Sequence, residues 1–180
     1  HGDGVDQRFV MQRINTTVFT RPDEVMHNLV QVSQHIERKL SQEIASPGQR
    51  LWEMPRVIPL HFSEGHWVEA EGSFWRGISY IGAAVSIEVV SSLQQAYEVG
   101  YGLGMFHQLI ADLPSHQLRD TLEGFHITPA YLRDYDAVSE SSSTTPSRVE
   151  AHCHRFIAER APWASVLEDA KHAGDLKLRP

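Results

Sequence analysis

The sequence predicts an α+β fold: a short antiparallel sheet crossed by one long helix, followed by a wholly helical portion. Two observations carry the first half. Strand-length apolar runs at residues 9–14, 66–70 and 73–81 alternate with turn residues, and a helical apolar period sets in at Pro22. A third carries the second half, since every apolar pattern from Ser92 onward recurs at helical spacing.

Phe9 to Ile14 reads as the first strand. Strand alternation places Phe9, Met11 and Arg13 on one face, so a cation projects beside apolar side chains. From Pro22 the spacing changes: Val25, Leu29, Val32, Ile36 and Leu40 form a helical stripe, and Pro22, Asp23 and Glu24 suit a first turn. This helix is expected from about Pro22 to Ile44, ending before the breakers Ser46-Pro-Gly48. Arg56 to Phe62 is strand-like but interrupted at Pro59, which suits an edge or a bulge better than a central strand. His66 to Ala70 and Ser73 to Ile81 flank Glu71-Gly72 and read as a β-hairpin.

Ser92 to Leu113 follows as a long helical pattern that Pro114 ends. Val99, Leu103, Phe106, Ile110 and Leu113 line one side, and Leu93, Ala96, Gly100, Gly104, His107 and Ala111 line the other. A helix apolar on both sides is expected to be buried. Gly124-Phe-His-Ile-Thr-Pro129 leads into a helix from about Pro129 to Val138. Ser139 to Ser147 is low in complexity and reads as a surface loop. Ser147 and Glu150 form a capping-box pattern that opens a helix through about Ala161. Pro162 breaks it, and a last helix is expected from Trp163 to Ala173, ending near Gly174.

With 180 residues, 41% of them hydrophobic and 22% charged, the chain can bury a core in one domain or two small lobes. It holds no run of about 18 consecutive apolar residues that would span a bilayer. The single cysteine, Cys153, excludes an internal disulfide framework and fits a reducing compartment, so a cytoplasmic location is expected. Against 23 Asp plus Glu, the 16 Lys plus Arg are scattered and the net charge is −7, which argues against a nucleic-acid surface.

The segment Val10 to Phe19, with Pro22 and Val25-Met26-His27-Asn28, resembles the N-acetylhexosamine 1-kinase group of the aminoglycoside phosphotransferase-like superfamily, whose fold is protein kinase-like. The resemblance resumes at Phe74-Trp-Arg76 with Tyr80-Ile81, at Gln95 to His107 with Asp112-Leu-Pro114, and at Gly124 to Pro129. It implies a partial small lobe over residues 1–81, a hinge or linker over 82–91, and a partial helical large lobe over 92–180. Two motifs of that group, an upstream glycine-containing phosphate loop and a downstream His-Asn-Asp catalytic motif with its metal-binding Asp, have no match here. His1-Gly-Asp-Gly4 reads as the turn before the third strand of such a lobe, and Leu176 to Pro180 falls about where the catalytic loop would begin.

The resemblance therefore implies an incomplete portion of an ATP-dependent phosphotransferase acting on a small-molecule hydroxyl, a sugar such as an N-acetylhexosamine. No catalytic residue is assigned within the chain. ATP and Mg2+ belong to the complete enzyme, and neither is expected to bind tightly here. In such folds a strand cation meets the nucleotide phosphates and a helix residue orients it. Arg13 is the cation expected, with Gln12 the competing assignment one register step away, and Asn28 the helix partner. Tyr80 and Ile81 are expected to offer hinge backbone groups to the adenine edge, within a short segment running to Ala84. The rival expectation is a non-enzymatic helical interaction module of the same ancestry. Surfaces bared by truncation could also pair two copies into a homodimer.

Five tempting features read as structural. Gly100-Tyr-Gly-Leu-Gly104 sits in a helical period and lacks the last glycine of a dinucleotide loop. His107 reads as a buried, hydrogen-bonded helix-face histidine and His126 as a loop histidine. Asp134 and Asp136 point apart on a helix, and His152-Cys-His154 cannot converge on one metal ion.

Overall fold

The computed structural model describes residues 8–42, 50, 52–62, 65–82 and 84–176. The expected turn at His1 to Gly4, the helix end at Ile44 before Ser46-Pro-Gly48, Ala83 of the hinge segment and the last residues of Leu176 to Pro180 lie outside them. The fold is mixed α+β, with β1 (Phe9–Ile14), α1 (Pro22–Gln42), β2 (Trp67–Ala70), β3 (Ser73–Ser79), α2 (Leu93–Ile110), α3 (Thr128–Ser141), α4 (Arg148–Arg160) and α5 (Val166–Ala173). The described chain divides into two compact units, residues 8–121 and 122–176.

In the first unit the hairpin closes through Glu71 and Gly72, both at positive φ, 51° and 68°. Two positive-φ residues make the turn whose twist matches its strands. β3 is central: the antiparallel order is β1-β3-β2. Gln12 faces Arg76, Ile14 faces Phe74, and Trp67 faces Arg76 from the other side. Residues 56–58 continue the β2 edge without forming a full strand, since Ile58 donates to Gly77 and Ser79 donates to Arg56 at 2.9 and 2.8 Å. Pro59 has no N–H with which to prolong that ladder.

α1 covers one face of the sheet with a stripe that serves two clusters. Met26, with Val25 and Leu29, packs on Ile14, Phe74 and Trp67, while Ile36, with Val32 and Leu40, packs on Leu109, Ile110 and Phe106 of α2. Trp67 stacks on Phe74 at 4.2 Å between ring centroids. Met26 and Ile36 are almost wholly buried. Truncating such a side chain to alanine typically costs about 2–5 kcal/mol.

α2 departs from expectation. Ser92 caps it, but only its last turns are buried: Leu93 is 91% exposed, Val99 61% and Leu103 56%. A Cβ added at Gly100, Gly102 or Gly104 would meet nothing within 4 Å. The apolar pattern was read as two buried faces, yet among the described residues only α1 packs firmly on α2, and it does so near the C-terminal end. His107 is likewise exposed, with a tilted ring contact to Phe106. The buried histidine is His35, on α1.

The second unit follows the sequence reading closely. α3 runs three residues beyond Val138, to Ser141. α4 starts at the expected capping box, in which Ser147 accepts from the Glu150 backbone and Glu150 accepts from the Ser147 backbone. A short 3-10 turn at Ala161–Trp163 precedes α5, so that helix starts later than expected, and Gly174 ends it in the left-handed conformation at φ 80°. Asp134 and Asp136 are both exposed on α3, and His154 of α4 shares a hydrogen bond with the Tyr135 hydroxyl.

A polar clasp ties α1 to the end of α2. Asp112 accepts from Lys39 at 2.7 Å and contacts His35 Nε2 at 3.2 Å, and Lys39 also donates to the Gln108 carbonyl. The Lys39 hydrogen bond, more than any other influence, holds the Asp112 carboxyl at about 2, below its ordinary 3.8. A carboxyl lowered by folding stabilises the folded state above its ordinary value and loses that contribution as pH falls through its folded value. Asp112→Asn should therefore flatten the pH dependence of unfolding between 3.8 and about 2. Urea midpoints followed by circular dichroism check this, and the effect should shrink with added salt because the carboxylate is exposed.

Candidate functional site

The site is built on the α1-facing side of the sheet. Strand alternation sends Gln12 and Ile14 toward α1 and Phe9, Met11 and Arg13 to the opposite, exposed face. The grouping of Phe9, Met11 and Arg13 matches the sequence reading, but their orientation relative to the helix does not. Arg13 was expected to face α1, and the β1–β3 register instead pairs it with Trp75 on the outer side. The reason is packing: Ile14 is needed in the cluster with Phe74 and Met26, and its neighbour must then point away.

A different guanidinium occupies the α1 side. Arg76, on central strand β3, lies directly across from Gln12, and its Nε donates to Gln12 Oε1 at 3.1 Å. One Nη lies 4.0 Å from the Met26 sulfur. Arg76 is partly buried, and burial lowers its pKa below the ordinary guanidinium value. Among the described residues no carboxylate lies within ion-pair distance of it, whereas Arg21, Lys39, Arg50 and Arg56 each reach one. Gln12, Arg13, Ile14, Asn15, Phe19, Val25 and Arg76 line a cavity of about 430 Å³.

Asn28 does not orient a strand cation. Its amide donates to the Arg119 carbonyl and accepts from the Arg119 N–H, both at 2.8 Å. His27 contacts the Gln117 carbonyl at 2.9 Å, and Arg21 donates to the Asp120 carbonyl. Three α1-side residues thus grip the backbone of residues 117–120. The expected Arg13–Asn28 pair is absent among the described residues: Asn28 turns its amide N–H and its oxygen to one peptide segment, while Arg13 lies on the other face of the sheet.

Tyr80 and Ile81 lie immediately after β3, as expected for a hinge. They line a second cavity, of about 480 Å³, with Ile36, Glu37 and Leu40 of α1 and the segment from Trp52 to Arg56. Their backbone N–H and C=O groups make no hydrogen bond among the described residues. The Trp52 indole N–H and the Ser33 hydroxyl in the walls are buried and have no hydrogen-bond partner among the described residues. The four expected residues are therefore not gathered in one place: Arg13 lines the first cavity, Tyr80 and Ile81 the second, and Asn28 neither.

Among the described residues no cluster of three His, Cys, Asp or Glu side chains could hold a metal ion. No helix of the described chain is long and apolar enough to cross a membrane. No protein-family model matches the chain.

Arg76 was missed because an arginine in an amphipathic strand ordinarily reads as a solvent-facing charge. The signal was its position two residues after Phe74, which shares its face. For Asn28 the expected outcome is structural: Asn28→Ala should lower stability by about 1–2 kcal/mol, two ordinary hydrogen bonds partly replaced by water. Chemical denaturation measures it, and an unchanged midpoint would show that the clamp contributes nothing.

Proposed function

We propose that this chain is part of an ATP-dependent phosphotransferase of the aminoglycoside phosphotransferase-like kind, acting on a small-molecule hydroxyl. Its carrying observation is the α1 side of central strand β3, where a partly buried guanidinium without a carboxylate partner lines a cavity and the strand then runs into open backbone groups at Tyr80 and Ile81. A helix inserted between β1 and β2, with β3 in the middle, agrees with a kinase-like small lobe. In phosphoryl transfer the protein chiefly positions the nucleotide and offsets charge on its phosphates.

The residues present fit part of ATP. Arg76, held by Gln12, supplies a cation for phosphate oxygens, and Tyr80 and Ile81 supply a donor and an acceptor for a purine edge. They do not fit Mg2+, since the described carboxylates form no ligand cluster. The acceptor proposed is the anomeric hydroxyl of an N-acetylhexosamine, which rests on the sequence resemblance alone.

A second reading, a non-enzymatic interaction module, is favoured by the exposed apolar side chains of α2 at Leu93, Val99 and Leu103. The two separate cleanly. The complete protein carrying this chain, incubated with ATP and N-acetylglucosamine or N-acetylgalactosamine, should release ADP and form the sugar 1-phosphate. Absence of both products, together with no nucleotide binding, would leave the interaction module as the answer.

A further inference from the structure

We propose that Arg76, oriented by Gln12, is the cation that binds the phosphate chain of the nucleotide, in the role the sequence suggested for Arg13; this rests on the phosphotransferase reading above. The two side chains exchange the usual arrangement. A cation is expected on the first strand, but here that strand presents a neutral amide to α1 and the neighbouring central strand presents the charge.

Three features single out Arg76. It shares the α1-facing side of the sheet with the buried Ile14 and Phe74, so its stem is fixed by the strand and not by a mobile loop. Its fork is oriented by a neutral acceptor: Gln12 Oε1 takes the Nε hydrogen at 3.1 Å and leaves the positive charge uncompensated. A partly buried cation with no carboxylate in reach among the described residues carries a desolvation cost that an entering anion would offset. The adjoining cavity, about 430 Å³, gives such an anion room. A planar guanidinium matches two phosphate oxygens at once, where an ammonium would act as a point charge.

Arg13 lines the same cavity, but its exposed side chain makes no hydrogen bond or ion pair among the described residues, so water already solvates it. Its contribution to anion binding should be the small, salt-screened one of a surface charge. Gln12 is a positioning residue: it touches Arg76 and need not touch phosphate.

The test is a titration of the 15N-labelled 180-residue chain with pyrophosphate, ADP and adenosine, followed at the Arg76 Nε–H resonance. Pyrophosphate and ADP should both shift that resonance and adenosine should not. Arg76→Met should weaken pyrophosphate binding at least tenfold and Arg76→Lys at least threefold, while Arg13→Met changes it less than twofold. Gln12→Leu should weaken it about threefold with Arg76 still present. If Arg76→Met fails to fold by circular dichroism, the wild-type resonance and the lysine variant decide. Binding that survives in Arg76→Lys unchanged but is lost in Arg13→Met overturns the proposal. Adenosine binding without any response to pyrophosphate overturns it, and so does silence toward all three probes, while product formation by the complete protein decides the phosphotransferase reading separately.

Discussion

Antiparallel pairing of β1 with β3 in a single register is the constraint on which the first unit depends. With Ile14 opposite Phe74, both side chains enter one cluster with Met26, and Trp67 closes it from the hairpin. The same register sets Gln12 opposite Arg76 on that side and Arg13 opposite Trp75 on the other. Because side chains alternate along a strand, a slip of β1 by one residue would expose Ile14 and bring Arg13 to the side that Arg76 already occupies. Hydrophobic burial, worth about 1.5–3 kcal/mol for each large apolar side chain, thereby decides where charge is placed.

α1 carries that decision to the rest of the unit. Its apolar stripe meets the sheet through Met26 and α2 through Ile36, and its polar side chains hold what apolar contact does not reach. His27 and Asn28 fix the backbone of residues 117–119, and His35 and Lys39 fix Asp112. The cavity at Arg76 lies by the first turn of α1, and the one at Tyr80 and Ile81 lies by its second half. One helix therefore walls both candidate regions, and what loosens its seam with residues 108–120 should loosen both.

The elements that local chemistry specifies were legible in the sequence. Glu71-Gly72 marked the hairpin, Ser147 with Glu150 marked the start of α4, and Gly174 marked the end of α5. Face membership on β1 was legible too, because alternation is geometric. What could not be read is which face a partner covers, since Phe9 and Met11 are as apolar as Ile14 and yet lie outside. The same gap misplaced α2, whose two apolar sides predict burial only if something packs on both. Asn28 was misjudged because its partners are backbone groups of Arg119, 91 residues away, which no side-chain pattern announces. The candidate site was legible in part: β1, α1 and the segment after β3 lie where the sequence places them, but Arg13 faces away from α1.

What distinguishes this chain is a charge held among apolar neighbours by a neutral amide. Cross-strand nuclear Overhauser contacts test that arrangement most directly, because register and face are measured together. The account predicts contacts pairing the backbone of Gln12 with that of Arg76, and the Arg76 side chain with the Met26 methyl. Contacts that pair Arg13 with Arg76, and bring the Arg13 side chain to Met26, would contradict it.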